Sequence, residues 1–366
     1  MKLEKENSSK KRINFAKKDI TNEDKKNRLT NDSYNIDNSY GENYSTANST
    51  FENNKKKKQN VIKENIEFTI KGKTKTNQGM ETMEETDKEI IINSQNVDEY
   101  IYDILVNLFK EEKSMTNNIN PNYFGYQKEI NQSMRSILID WLIDVHDKLN
   151  FKQETLYITI YIIDSFLSKK IIERRKFQLL GITALLIASK LNEIDIRRIG
   201  DYVIITDNAY TKDDIKKMEE EIAQTLNFNF LVPSPLSFFE IISKISGISD
   251  DKDKSDFGEF LIQSFLIDFR SLNYSYSIIA YASCFIIMKI CKMNNYQFFY
   301  DNIFFFGKNN NLYDNNANFN LIIECANNIY EIIRELSNSN YKSTFTKYSK
   351  HNIYATIKNI FEIDKK

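Results

Sequence analysis

Along most of residues 97–366, apolar positions recur at spacings of three and four, the signature of helices with one or more buried faces. The densest stretch runs from Met134 to Lys190 through MRSILIDWLIDV, TLYITIYIIDSFLS and FQLLGITALLIASKLNEI. It is apolar almost all round at helical spacing, yet it fixes a few polar residues in place, notably Arg135, Asp164, Gln178 and Lys190. A helix apolar on every side must be enclosed by other helices, so this segment belongs in the middle of a bundle. Gly181, Ala184, Ala188 and Ser189 form a stripe of small side chains there, which lets neighbouring helices approach closely. Residues 1–96 show the opposite pattern, with isolated apolar residues, no sustained period and a surplus of Lys, Asn, Ser, Thr and Glu. Such a segment cannot bury enough apolar surface to offset the entropy of ordering and is expected to be a disordered regulatory tail.

Helix ends are legible as well. Thr211 with Asp214 reads as a capping box opening a helix whose buried face carries Ile215, Met218 and Ile222. Asn96 with Glu99 reads as the cap of an earlier helix with a stripe of Val97, Ile101, Ile104, Leu105 and Leu108. The Asn-rich stretch 301–320 reads as a long loop. An internal repeat organises the rest: Ser165-Phe166-Leu167 recurs 99 residues later as Ser264-Phe265-Leu266, and GITALLIASKL (181–191) aligns at the same offset with AYASCFIIMKI (280–290). Two segments in one register imply two copies of one helical unit. Pro233 and Pro235 fit poorly inside a helix and place the boundary near residue 230. The expected architecture is therefore all-α, with a tail at 1–96, one bundle and its preceding helix at 97–230, and a second bundle at 231–366.

Composition changes this picture little. Gly and Pro number nine and three, few for a many-turned β fold. The tail holds 19 Lys and Arg against 16 Asp and Glu; with a whole-chain net charge of −1, the body comes to −4. An acidic body argues against nucleic-acid binding, and against a basal transcription factor, which needs a basic DNA-binding face. The start, MKLEKENSSKKR, lacks the apolar core of a signal peptide, and the run Ile278–Met288 is too short to span a bilayer. Cys284, Cys291 and Cys325 match no zinc spacing and are expected as buried, reduced thiols. His146 and His351 are the only histidines, neither in a metal or triad pattern, and no phosphate-cradling glycine loop occurs. No enzyme activity, cofactor, metal or membrane partner is expected.

Seven motifs in order give the chain a family likeness: MRSILIDW (134–141), ETLYITIYIIDSFLS, LLIASKLNEI, IGDY (199–202), ITDNAYTKDDIKKME (205–219), LNFNFLVPSPLSFF (226–239) and KYSKH (347–351). Together they resemble the cyclins over about residues 97–355, and within them the B-type, mitotic members. The resemblance implies two tandem cyclin boxes and a regulatory subunit that binds and activates a cyclin-dependent Ser/Thr kinase and helps select its substrates. A transcription-associated cyclin or another cyclin-fold scaffold is the alternative, separated by its kinase partner and by steady abundance through the cell cycle.

Site assignments follow from the resemblance, beside what the residues say alone. Arg135 and Asp164 are a buried pair fixing helix register on either reading. Lys190 by itself reads as a snorkelling lysine and Glu219, in MEEE, as part of a solvated face. The resemblance makes them the donor and acceptor that hold the kinase's mobile helix, surrounded by Ile101, Ile187, Leu191, Ala223, Phe228 and Phe230. Met134, Ile137, Leu138 and Trp141 recur at core spacing, yet the same helix has Ile139, Leu142 and Leu149 for its core. The resemblance turns this second face into a groove for Arg-x-Leu substrates or inhibitors, with Gln178 giving polar contact and Asp144 facing the peptide's basic residue. Departures from the family are Asn192 for an acid, Ile196-Arg197 for two prolines, and Phe177 for a leucine in the groove. In the tail, Lys5-Glu6-Asn7 and Lys63-Glu64-Asn65 match the KEN signal of the anaphase-promoting ubiquitin ligase, although no Arg-x-x-Leu box accompanies them. Lys10-Lys11-Arg12 and Lys55–Lys58 read as nuclear import signals or as solvated charge, and the expected location is nucleus and cytoplasm.

Overall fold

The computed structural model describes residues 100–115, 118–293 and 315–361. The expected tail, both KEN tripeptides, the basic runs and the Asn96–Glu99 cap lie outside them. Among the described residues every regular element is helical.

The first bundle contains α2 (Gln132–Leu149), α3 (Gln153–Lys169), α4 (Phe177–Asn192), α5 (Ile199–Ile205) and α6 (Lys212–Leu226), with α1 (Ile101–Met115) ahead of it in sequence. Local chemistry sets the ends. Asn131 caps α2 by accepting from the Met134 amide at 2.9 Å, and Asn150 ends it in the left-handed region at φ 53°. The predicted capping box opens α6, with Thr211 Oγ1 accepting from the Asp214 amide at 3.2 Å and Asp214 Oδ2 accepting from the Thr211 amide at 2.9 Å. α4 is buried from Leu179 to Ser189, as its all-round apolarity requires. Gly181 sits where a Cβ would lie 2.7 Å from Leu138 Cδ1, so the missing side chain is what lets α2 close on α4.

The second bundle contains α7 (Pro235–Ile245), α8 (Lys252–Ile267), α9 (Tyr276–Ile290), α10 (Asn315–Ser337), α11 (Ser343–Tyr348) and α12 (Tyr354–Ile360). Ser234 caps α7 and Pro235 opens it, the one helical position that proline favours. The repeat is visible in the helix starts: α3 and α8 begin at 153 and 252, α4 and α9 at 177 and 276, both 99 residues apart. Each pair forms the hairpin at the centre of its bundle.

Tertiary packing departs from the periodicity in four places. α1 precedes the first bundle in sequence but packs on the second: Ile101, Leu105 and Phe109 join the core of α7–α10, and the Phe109 ring lies 5.3 Å from that of Phe238. Ile104, expected on its buried stripe, is exposed because the core contact runs along the Leu105–Phe109 edge. The last six residues of the expected loop 301–320 are helical, since α10 begins at Asn315; Phe319 meets the Phe285 ring at 6.2 Å, and that contact favours extending the helix. Cys284 and Cys325 are buried, but Cys291 is exposed, because α9 ends at Ile290 and the chain turns outward there.

His146 is buried in the first bundle, its Nε2 donating to the Lys152 carbonyl at 2.8 Å while Nδ1 has no partner among the described residues. Burial pushes its pKa down from 6.5 to about 4. The unfolded chain therefore binds the extra proton first as pH falls, and stability is lost through the window from 6.5 toward 4. Between pH 7 and pH 5 this one group should remove about 2 kcal/mol. Urea unfolding at the two pH values checks it: His146→Asn should flatten the slope by that amount, and an unchanged slope would reject the assignment.

Candidate functional site

Three clusters gather the polar residues that the sequence singles out. The first is buried. Arg135 on α2 is fully enclosed and grips Asp164 on α3 with two parallel bonds, Nε to Oδ1 and Nη2 to Oδ2, both 2.7 Å. Burial opposes the guanidinium's charge, but the Asp164 carboxylate outweighs it and holds the group above its ordinary range. Tyr123 adds a third bond, its hydroxyl donating to Asp164 Oδ1 at 2.9 Å. Burial, with the Asp164 charge second, pushes that hydroxyl's pKa well up.

The pair reaches further than the first bundle. Arg135 Nη1 donates to the carbonyls of Leu266 (3.1 Å) and Ile267 (3.3 Å), and Ser136 Oγ donates to Ile267 at 2.9 Å. Those carbonyls belong to the last turn of α8, where helix groups lack partners and the dipole favours a cation. Arg135 thus fixes the two bundles to each other as well as α2 to α3.

The second cluster is open. Lys190, at the end of α4, and Glu219, midway along α6, form an ion pair on the surface between these packed helices. Of the six apolar residues expected around them, only Leu191 (44% exposed) and Phe228 (74%) are on the surface. Ile187, Ala223 and Phe230 are nearly buried, and present only edges. Ile101 is not part of this cluster at all: 3% exposed, it lies in the second bundle's core with the rest of α1. Asn227 and Phe228 are both left-handed, at φ 51° and 58°. That region is costly for a bulky residue, and it holds the Phe228 ring out in water at 6.3 Å from Phe230. Ile194, Ile196 and Leu231 are also exposed, and the sequence marked none of them as a contact residue, Ile196 only as standing in place of a proline. They sit in the non-helical segments that follow α4 and α6, where periodicity gives no signal, although apolar residues flanked by charge in NEIDIRR were readable.

The exit from α4 is tied down by side chains. Glu193 Oε1 accepts from the Lys152 amide at 2.8 Å, capping the start of α3, and Asn192 Nδ2 donates to Thr155 Oγ1 at 3.0 Å. Glu193 and Asn192, which stands where the family has an acid, thus tie α4 to α3.

The third cluster is the outer face of α2. Met134, Ile137, Trp141 and Asp144 are partly exposed in a row, and Gln178 on α4 is likewise partly exposed. Leu138 is buried, turned inward against Gly181. Asp144 pairs with Lys148 at 2.7 Å, so any basic group arriving there must compete with a lysine one turn away. Phe177 is buried at the start of α4. Among the described residues no group of His, Cys, Asp and Glu is placed to hold a metal ion, and no helix is long and apolar enough to cross a membrane.

Two copies of one helical bundle, pinned to each other by a buried arginine, define a tandem all-α repeat protein. The chain matches the family models for the cyclin N-terminal domain over residues 103–231 and the cyclin C-terminal domain over residues 233–360. It belongs to the cyclin family. Similar relatives include a G2/mitotic-specific cyclin-B of Hydra vulgaris, 38% identical over 214 residues and covering 58% of each chain. A G2/mitotic-specific cyclin-B2 of Anguilla japonica is 44% identical over 186 residues, 50% of this chain and 46% of the relative. A G2/mitotic-specific cyclin S13-6 of Glycine max is 34% identical over 275 residues, 75% of this chain and 57% of the relative. The match thus spans about half the length of these relatives. In fold, the chain is similar to a viral cyclin from herpesvirus saimiri, with a TM-score of 0.51 and 15% identity over 62% of this chain and 97% of that one.

Proposed function

We propose that residues 97–230 dock on a cyclin-dependent Ser/Thr kinase and hold its mobile helix in the active position. The observation that carries this reading is the Lys190–Glu219 pair, charged and accessible between α4 and α6, with Leu191 and the outward-held Phe228 on the same two-helix unit. Lysine and glutamate suit backbone carbonyls and amides, since charge-assisted hydrogen bonds are the stronger class. Phosphoryl transfer needs the kinase's own Lys–Glu ion pair and metal-binding Asp in place. A partner that binds the competent conformer more tightly shifts the population toward it. The chemistry then belongs wholly to the kinase. Purified full-length chain added to cyclin-dependent kinases from its own cell extract should raise histone phosphorylation; no stimulation of any of them would refute the reading.

The outer face of α2 fits a groove for Arg-x-Leu peptides. A docked substrate gains effective concentration beside the kinase without any change at the catalytic site. Trp141→Ala should therefore lower phosphorylation of an Arg-x-Leu substrate by about tenfold while leaving a short peptide lacking that motif unchanged. Equal loss on both would make Trp141 a packing residue only.

A mitotic role, with the anaphase-promoting ubiquitin ligase ending it, rests on the two KEN tripeptides and on the names of the relatives. Changing both Lys5-Glu6-Asn7 and Lys63-Glu64-Asn65 to alanines should prolong abundance past mitotic exit in a synchronised culture. Unaltered decay would show the matches to be accidents of composition. On this reading the basic runs Lys10-Lys11-Arg12 and Lys55–Lys58 support import into the nucleus as well as residence in the cytoplasm.

A further inference from the structure

A cavity of about 430 Å³ lies where α1 and both bundles meet, within the range of small-ligand sites. It is separate from the Lys190–Glu219 face and from the α2 groove, since none of their residues line it. The charged groups around it are already engaged by the protein or by water. Glu112 of α1 accepts from the Ser277 amide at 2.9 Å, from the Ser277 hydroxyl at 2.5 Å and from the Tyr276 backbone. Lys113 stands beside it with the opposite charge and is exposed. Asp164 is held by the Arg135 fork and by Tyr123. Neutral polar groups are engaged as well. The Tyr274 hydroxyl donates to Glu324 Oε1 at 2.8 Å and accepts from Asn328 Nδ2 at 2.5 Å. The Tyr161 hydroxyl accepts from Asn118 Nδ2 at 3.0 Å, and the Ser271 hydroxyl donates to the Asp268 carbonyl at 2.7 Å. What these groups leave for a ligand is apolar wall, with Pro233 of the inter-bundle linker, Leu272 ahead of α9, Ile278 of α9 and the rings of Tyr161, Tyr274 and Tyr276.

Such walls reward the burial of apolar surface and answer no ligand charge. An ammonium or a carboxylate entering here would give up its water without gaining a partner, a cost that apolar contact does not offset. Apolar cavities of about 150 Å³ stay dry and take up benzene, and this one is large enough for a second fused ring. Tyrosine rings add the offset and edge-on contacts that aromatic pairs favour. We propose that this cavity binds a neutral, apolar bicyclic aromatic molecule, seated among Tyr161, Tyr274 and Tyr276. Because the walls come from α1, both bundles and their linker, an occupant ties the three parts together and raises the unfolding temperature.

The test uses the full chain with three probes at pH 7: 1-methylindole, its cationic counterpart 1-methylindole-3-methanamine and its anionic counterpart 1-methylindole-3-carboxylate. Calorimetry should show saturable binding of 1-methylindole with Kd of about 100 μM, at least about tenfold tighter than either charged probe. At about 1 mM it should raise the unfolding temperature by about 3 °C. Leu272→Trp, which fills the cavity, should abolish binding, and Val232→Trp on another wall serves as the second blocking variant. If neither variant keeps the near-ultraviolet dichroism of the parent, the comparison of the three probes on the unaltered chain decides. Absence of saturable 1-methylindole binding, or binding that survives both tryptophan variants in folded form, would overturn the proposal. Equal or tighter binding of either charged probe would overturn it too, by showing that a group of the walls answers a ligand's charge.

Discussion

Asp164→Ala should lower the unfolding free energy by about 3–5 kcal/mol, the largest effect expected of any single substitution outside the apolar cores. The change removes both partners of the Arg135 fork and leaves a guanidinium with no exposure to solvent. Two carbonyls of α8 cannot neutralise it, and the Tyr123 hydroxyl loses its acceptor. Against a typical total of about 5–15 kcal/mol, that loss is a large fraction of what holds the fold. The double change Arg135→Met with Asp164→Leu should recover much of it, because a buried ion pair replaced by apolar side chains of similar volume is often close to neutral. Urea unfolding of the single and double variants decides between the two contributions. A double variant as unstable as Asp164→Ala would mean that the bonds to Leu266 and Ile267, and not the stranded charge, carry the effect.

Lys190→Ala with Glu219→Ala should weaken kinase binding by about 10- to 100-fold, as expected for losing two charge-assisted bonds across an interface. The fold should hardly notice, since an exposed ion pair contributes about 0–1 kcal/mol. The charge reversal Lys190→Glu with Glu219→Lys sharpens the test. It preserves an ion pair between α4 and α6 but exchanges donor for acceptor toward the partner. Pull-down and phosphorylation assays should find this variant as defective as the double alanine. Full activity in it would mean that the pair serves only to hold α4 against α6; full activity in the double alanine would remove both residues from the interface.

Much of this was readable in the chain before any tertiary contact was known. Helices, caps and the 99-residue repeat follow from local rules: apolar period, Ser, Thr, Asn and Asp at helix starts, proline at Pro235. The α4 stripe of small residues announced close packing, and Gly181 under Leu138 is one instance of it. Arg135 and Asp164 were conspicuous because charge inside an apolar helix has to be paired.

What the sequence could not give is where separate elements meet. Periodicity identifies a buried face and is silent about what buries it, so α1, adjacent to the first bundle in the chain, could not be placed on the second. Ile101 was misplaced for that reason alone. The reach of Arg135 to Leu266 and Ile267 spans 131 and 132 residues and has no local trace. Exposure of Phe228 depends on two consecutive left-handed residues, which are set by the way α6 ends against its neighbours. The helical residues 315–320 follow from packing such as the Phe319–Phe285 contact that overrode an Asn-rich composition. Residue types and their spacing determined the helices, the repeat and the list of residues carrying charge in apolar surroundings. Three-dimensional packing decided which of them became core, which became surface, and that a cavity would be left where α1 and the two bundles come together, because burial depends on neighbours distant in the chain.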